Sequence, residues 1–168
     1  MDLLLNCDLG EAAGGDQLAT EAQVMPYIDQ ANIACGFHAG NPQIMDQTLV
    51  LAKQHQVAVG AHPSYPDKFN FGRQSMTMTS PDLIACLNYQ IASLEKNAKR
   101  HAINLDYVKP HGALYSSAKS GSYLAFRELS KSRFIIIEII EDNSSVLASC
   151  YQKKKQEQEN DQEQKQHF

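Results

Sequence analysis

Four short polar segments carry the residue types that do chemistry in this sequence. They are NCDLGE at 6–11, GFHAGNP at 36–42, GAHPSYP at 60–66 and KPHGALY at 109–115. Each one places an acid, a histidine or a lysine beside glycine or proline, and these side chains transfer protons, bind metal ions or neutralise anions. The candidate catalytic residues are Asp8, Glu11, His38, His62, Lys109 and His111.

Each polar segment comes directly after a short apolar stretch that is typical of a buried strand. The stretches are residues 3–5, 31–34, 57–59 and 105–109, with helical patterns between most of them. This alternation predicts an α/β fold with parallel strands, whose C-terminal ends lie at one edge of the sheet. A single Asp or His in such a loop is more typical of a turn, but four segments in equivalent positions predict one shared cleft.

Two kinds of chemistry fit this set of residues. Neutral imidazoles and a carboxylate can bind a divalent metal ion, which polarises a carbonyl group or lowers the pKa of a bound water. Alternatively, Asp8 or Glu11 acts as a general base, histidines donate protons, and Lys109 stabilises an oxyanion or a phosphate. The dispersed spacing does not choose between them, because no H-E-x-x-H unit is present.

Two further residues are predicted to bind a cofactor or another anionic group. Arg73, in FNFGRQ, is placed on a loop over the site, where a guanidinium binds an anion in a bidentate manner. Asn6 opens the first polar segment. The histidines at helix ends or in the tail, His55, His101 and His167, lack this context and are predicted to lie outside the site.

The helices between the strands have recognisable starts. Asn41 followed by Pro42 predicts a helix N-terminus, with Met45, Leu49 and Ala52 on its buried face. Ser80, as an N-cap before Pro81, predicts a second helix that runs to about Arg100. Its apolar positions are three and four residues apart, at Ile84, Leu87, Ile91, Leu94 and Ala98.

Composition narrows the class of protein further. A net charge of -4, without a cluster of basic and aromatic residues, argues against a nucleic-acid partner. The N-terminus MDLLLNCD is not typical of a signal peptide, and no apolar run is long enough to cross a bilayer, so we expect a cytoplasmic protein with no membrane contact. The four separated cysteines contain no C-x-x-C pair and are expected to be free thiols.

The segments NCDLGE, NIACGFHAGNP, GAHPSYPD, FGR and VKPHGALY, in this order, closely resemble the LamB/YcsF family over residues 1 to 115. The resemblance implies the A subunit of an ATP-dependent 5-oxoprolinase, which opens 5-oxo-L-proline to L-glutamate together with subunits B and C. It also implies a parallel β/α barrel of the glycoside hydrolase/deacetylase type, with ATP and a divalent metal such as Mg²⁺ as cofactors. The alternatives are a metal-dependent deacetylase or sugar hydrolase, and an inactive fragment that only binds a partner.

The sequence departs from the family pattern after Tyr115. The later A-D-R-x-Y-like and H-G-D-like motifs of the family are missing. The sequence instead contains a β-branched run, FIIIEII at 134–140. We therefore expect an incomplete barrel over residues 1–150, in which the family pattern ends early by truncation or a change of reading frame. Residues 116–121 are predicted to form a linker, 123–129 a helix, and the Gln/Glu/Lys-rich 151–168 a disordered tail.

Overall fold

In the computed structural model, the described residues are 4–12, 15–120 and 136–137. They form a sheet of five strands: β1 (Asn6–Leu9), β2 (Gln30–Ala34), β3 (Ala58–His62), β4 (Leu105–Val108) and β5 (Ile136–Ile137). The spatial order is the order along the chain, and all four pairings are parallel. The predicted α/β class with parallel strands is confirmed.

Helices connect the strands. They are α1 (Gly15–Val24), followed by a 3-10 turn (Met25–Tyr27), then α2 (Pro42–Gln54), α3 (Ser80–Arg100) and α4 (Gly112–Ser120). A sheet whose neighbouring strands follow each other in sequence, each with its own crossover helix, has the arrangement of a β/α barrel. Within the described residues β1 and β5 do not pair with each other, so the described sheet is open, which is consistent with the predicted incomplete barrel.

The core lies between the sheet and α2 and α3. Met45, Leu49 and Ala52 of α2 are buried, which confirms the face predicted from their spacing. On α3, Leu87, Ile91, Leu94 and Ala98 are buried and Ile84 is partly buried. Burying a large aliphatic side chain stabilises the fold by about 1.5–3 kcal/mol, so these helix faces hold the sheet in place.

The helix starts were predicted almost correctly. Asn41 caps α2, because its side chain accepts hydrogen bonds from the backbone N–H groups of Gln43 and Ile44. For α3 the predicted cap, Ser80, is wrong by one residue. Thr79 is the N-cap: it has extended backbone angles and its hydroxyl accepts from the N–H of Asp82, whereas Ser80 already lies in the helix.

Several element boundaries differ from the prediction. For example, β3 is Ala58–His62 rather than residues 57–59, and β4 ends at Val108 rather than at residue 109. The first strand is Asn6–Leu9 rather than residues 3–5, because Asn6 to Leu9 pair with Gln30 to Ile33 of β2. The linker predicted at 116–121 is helical as far as Ser120, since α4 starts at Gly112 and buries Ala113 and Leu114. The predicted helix at 123–129, most of the run at 134–140 and the tail lie outside the described residues.

Candidate active site

Asp8 occupies the centre of a polar network between neighbouring strands. Within β1 alternate residues face the same side, so Asn6 and Asp8 project together toward the pairing partner of Asp8, Asn32 on β2. The buried amide of Asn32 donates to Asp8 Oδ1 at 2.7 Å and to Asn6 Oδ1 at 3.2 Å. Lys109, from the end of β4, donates to the same Asp8 oxygen at 2.6 Å. Two donors therefore fix the carboxylate of Asp8.

Three histidines from three different strand ends pack beside this carboxylate. His62 Nε2 lies 2.9 Å from His111 Nδ1 and 3.3 Å from Asp8 Oδ2. The ring of His38 stacks on that of His111, with centroids 3.9 Å apart and planes only 5° from parallel. All three histidines are buried. The strand-end geometry thus brings together imidazoles that are up to 73 residues apart in the sequence.

Glu11 completes the cluster from the loop after β1. Its Oε1 lies 3.0 Å from His38 Nε2, 3.6 Å from His111 Nδ1 and 3.9 Å from His62 Nε2. One carboxylate oxygen and three ring nitrogens, all within 4.8 Å of one another, form a group that could hold a metal ion. The side chains of Glu11 and Asp8 are 22% and 35% exposed, so the cluster is open to solvent on its acidic side.

Backbone carbonyls orient two of the histidines. His62 Nδ1 lies 2.6 Å from the Lys109 carbonyl oxygen, and His111 Nε2 lies 2.9 Å from that of Phe71. A carbonyl only accepts, so in both rings the nitrogen beside the carbonyl carries the proton; this tautomer is assigned from the hydrogen-bond network. The other nitrogen of His62 faces Asp8 and Glu11, and that of His111 faces Glu11.

Close backbone contacts hold the loops that carry these groups. Gly72 has a left-handed φ of +66°, and a Cβ there would meet His38 and His111 at 2.9 and 3.0 Å. Its carbonyl oxygen accepts from the N–H of Ala113 at the start of α4. On the other side, a Cβ on Gly40 would lie 2.4 Å from the carbonyl oxygen of Gly10. Only glycine allows these loops to pack so closely.

Two buried residues that sequence reasoning missed support the site. Glu21, on α1, accepts from the N–H of Gly10 through both carboxylate oxygens, at 3.0 and 3.1 Å, and from the Thr48 hydroxyl at 3.2 Å. Asn32 orients Asp8 as described above. A polar residue inside the apolar stretch QANIA was the available signal for Asn32, whereas Glu21 resembled an ordinary surface acid on its helix.

The two predicted cofactor-binding residues lie at the margin of this cluster. Asn6 is bound to Asn32, next to Asp8. Arg73 is exposed, with its guanidinium carbon 5.4 Å from the centre of the Phe71 ring, and it makes none of the hydrogen bonds or ion pairs of the Asp8 network. Of the histidines expected to lie outside the site, the structure describes His55 and His101, and both lie outside it. His55 ends α2, and His101 pairs with Asp46 at 2.8 Å.

The surroundings lower the pKa of three members of the cluster, Asp8, His38 and His111. Burial alone would raise the pKa of Asp8, but hydrogen bonds and charges from His62 and Lys109 outweigh it and hold this pKa well below its usual value. Burial, together with the neighbouring His38 and His62, lowers the pKa of His111 to about 4. Burial also lowers the pKa of His38, although the hydrogen bond that His38 donates to Glu11 acts to raise it. Asp8 is thus ionised and His111 neutral near pH 7.

The cysteines are poor nucleophiles in this setting. Cys7, Cys35 and Cys86 are free thiols, as expected. Burial raises the pKa of Cys7 to about 11 and that of Cys35 to about 12. Because the thiolate is the reactive form, neither is activated near neutral pH. The candidate reactive groups of this cluster are therefore the carboxylates, the imidazoles and the lysine.

Comparison with known proteins agrees with this arrangement. The model of the LamB/YcsF family matches residues 3–161, almost the whole chain. The chain belongs to the LamB/YcsF family. The match of this LamB/YcsF chain extends beyond residue 115, where the recognisable motifs end. Among the described residues, no helix is both long and apolar enough to cross a bilayer.

Two curated relatives of this LamB/YcsF chain are named as A subunits of 5-oxoprolinase. The chain is 53% identical over 114 residues to the second such A subunit of Pseudomonas putida, covering 68% of this chain and 44% of that protein. It is 46% identical over 125 residues to the 5-oxoprolinase A subunit of Vibrio campbellii, covering 73% and 50%. The chain spans about half the length of the curated relatives it matches.

A solved structure shares the fold of the LamB/YcsF chain. The crystal structure of a lactam utilization protein from Thermus thermophilus superposes with a TM-score of 0.75 at 34% identity. The alignment covers 92% of this chain and 63% of that one. The parallel sheet of the LamB/YcsF chain therefore corresponds to part of a larger structure of the same family.

Proposed function

We propose that this chain is a component of an ATP-dependent 5-oxoprolinase that opens 5-oxo-L-proline to L-glutamate in the cytoplasm. In this proposal it acts with subunits B and C, and 5-oxoproline is its small-molecule substrate. The names of its relatives support the reaction. The observation that carries the proposal is the cluster in which Asp8, Lys109, Glu11 and three histidines meet at one edge of the sheet.

The proposed reaction needs both acidic and basic groups. The lactam is stabilised by resonance, so transfer of the γ-phosphoryl group of ATP to the amide oxygen, with release of ADP, makes its carbon a better electrophile. Water then adds to that carbon and the ring C–N bond breaks, which leaves an acyl phosphate and a free amine. A second water hydrolyses the acyl phosphate to the γ-carboxylate of glutamate and phosphate. Positioned general bases, proton donors and cations accelerate such steps by stabilising the charge that develops.

Roles for the clustered residues follow from their positions. Asp8 or Glu11 orients the attacking water or a Mg²⁺ ion that accompanies ATP. His38, His62 and His111 polarise the amide or protonate its nitrogen. Lys109 neutralises phosphate or the substrate carboxylate, since its ammonium group already lies against Asp8 at the centre of the cluster.

Arg73 and Asn6 are proposed to bind the anionic groups of ATP or substrate. Arg73 is exposed beside the cluster, so its guanidinium is able to contact an incoming phosphate with two parallel hydrogen bonds. The sequence contains no G-x-x-x-x-G-K-[ST] loop, so phosphate binding here would rely on such separate side chains.

Reconstitution tests the proposal directly. The full chain is co-expressed with subunits B and C of the Pseudomonas putida enzyme, and glutamate formation from 5-oxoproline is measured with and without ATP. We expect ATP-dependent turnover that Asp8→Asn abolishes and that Lys53→Met, at an exposed lysine on α2, leaves unchanged. Absence of turnover, alongside an active full-length relative, would reject the activity of this chain. Binding to subunits B and C without turnover would indicate a partner-binding fragment.

A second candidate function is hydrolysis without ATP. The group of one carboxylate and three imidazoles favours a metal-dependent deacetylase or sugar hydrolase. This candidate predicts release of acetate from N-acetylated sugars in the presence of added Zn²⁺ and in the absence of both ATP and subunits B and C. ATP-dependent glutamate formation with no acetate release would reject it.

A further inference from the structure

When His62 and His111 are both neutral, the lone pairs of two of their ring nitrogens point at each other. Each ring donates its one proton to a backbone carbonyl, that of Lys109 for His62 and that of Phe71 for His111. The remaining nitrogens, His62 Nε2 and His111 Nδ1, are 2.9 Å apart, and both are acceptors when the rings are neutral. Two lone pairs at this distance repel each other unless a cation lies between them.

Glu11 adds a third acceptor to the same point. Its Oε1 is 3.6 Å from His111 Nδ1 and 3.9 Å from His62 Nε2. A single proton bridges only two of these three atoms, whereas a divalent ion accepts electron pairs from all of them. The circle through three atoms separated by 2.9, 3.6 and 3.9 Å has a radius of about 2.0 Å, which matches Zn–N and Zn–O bond lengths.

We propose that Glu11 Oε1, His62 Nε2 and His111 Nδ1 bind one zinc-type divalent ion. Imidazole nitrogens suit Zn²⁺ and its neighbours in the transition series, while Mg²⁺ prefers oxygen ligands. Carbonyl acceptors behind two of the ligands are the arrangement that orients metal-binding histidines in other proteins. The distances between these three ligand atoms support the metal site whatever the substrate is.

The neighbouring residues have distinct roles in this site. His38 Nε2 lies 3.0 Å from Glu11 Oε1 and positions that ligand, while its stacked ring holds His111 in place. Three protein ligands leave a fourth tetrahedral position, which catalytic zinc sites fill with water. Asp8 Oδ2 is 3.3 Å from His62 Nε2 and faces this region. Under the proposed lactam hydrolysis, on which this step rests, that water would be the nucleophile.

Metal titration of the full chain tests the site without reference to activity. After treatment with a chelator, the protein is titrated with ZnCl₂ and with MgCl₂ by calorimetry, and with CoCl₂ by visible absorption. We expect one Zn²⁺ per chain, a tetrahedral Co²⁺ spectrum, and much weaker binding of Mg²⁺. Failure of the folded chain to bind Zn²⁺ stoichiometrically, or equally tight Mg²⁺ binding, would overturn the proposal.

Substitutions then locate the ion. Glu11→Gln keeps the shape of the side chain and is expected to weaken Zn²⁺ binding by more than about 100-fold, and His62→Ala is expected to do the same. His38→Asn removes only a positioning group and should weaken Zn²⁺ binding on the order of 10- to 100-fold. His55→Ala, at an exposed histidine, is the matched control and should bind as the unchanged chain does. Binding that is equal in Glu11→Gln and the control would place the ion elsewhere. Circular dichroism confirms that each variant is folded.

Discussion

Lys109 Nζ lies 2.6 Å from Asp8 Oδ1, so this ion pair links the end of β4 to β1 across the two strands between them. The same Asp8 oxygen accepts from Asn32 on β2. The interaction therefore joins residues that are 101 positions apart and couples the active-site geometry to the pairing of the sheet.

Replacing Lys109 with methionine tests that coupling. The change keeps the length of the side chain but leaves the carboxylate of Asp8 without its cation. We expect a loss of about 1–2 kcal/mol in the free energy of unfolding, less than for a fully buried pair because the Asp8 side chain is 35% exposed. Urea denaturation measures this loss in the free energy of unfolding. Lys99→Met removes only an exposed pair with Glu95 and should cost less than about 0.5 kcal/mol. Equal losses for the two variants would contradict the coupling.

Glu21→Gln probes the support of the loop that carries Glu11. The amide has one acceptor oxygen in place of two, so the N–H of Gly10 and the Thr48 hydroxyl compete for it. We expect a loss of about 2 kcal/mol in the free energy of unfolding, typical of hydrogen bonds to a buried charge. Glu95→Gln is the control on a more exposed helix face. A Glu21→Gln variant as stable as this control would show that the loop is held by other contacts.

Gly60→Ala is expected to disrupt the sheet between β3 and β4. The register shifts at this position, and a Cβ on Gly60 would lie 2.1 Å from the ring of Tyr107. Because Tyr107 is buried, the clash should cost about 1–3 kcal/mol in the free energy of unfolding. Thermal denaturation checks this. Combining Gly60→Ala with Tyr107→Leu removes the clash, so the two changes together should cost less than the sum of their separate effects. Additive costs would refute the steric explanation.

The metal-free protein should lose stability as the pH falls from about 6.5 to 4. The pKa of His111 is about 4 in the folded chain, against a usual value of 6.5. Between these values the unfolded chain binds a proton that the folded chain does not, so acid favours unfolding, by at most about 1.4 kcal/mol per pH unit. Urea denaturation at several pH values, with chelator present, measures the slope. His111→Asn should reduce the slope and leave the part that the lowered pKa of His38 contributes, whereas His55→Ala should not change it. A flat profile in the unchanged chain would disprove this explanation.

Strand polarity explains why the site could be predicted before its geometry was known. Apolar stretches and polar segments recur together, and parallel strands must point their C-terminal ends the same way. The positions of His38, His62 and His111 follow from this rule. It does not depend on exact strand limits, which is why the predicted residues lie together although β1 begins three residues later than predicted.

The hydrogen bonds that orient the side chains of the site could not be predicted from the sequence. Asn32 depends on the register between β1 and β2, which local sequence does not specify. Glu21 bonds to the loop after β1 only because α1 packs against α2, and the lone-pair arrangement of the histidines depends on carbonyl groups of Phe71 and Lys109. These are tertiary relationships between backbone atoms and distant side chains, so residue type and spacing carry little information about them.

The atom that orients His62 is the main-chain oxygen of Lys109, not its side chain. Every amino acid at position 109 supplies that oxygen. A substitution there can therefore change the local charge and still leave the acceptor that fixes the tautomer of His62. Position 109 therefore acts on the cluster in two separable ways: its side chain sets the charge beside Asp8, and its main chain sets the hydrogen bond of His62.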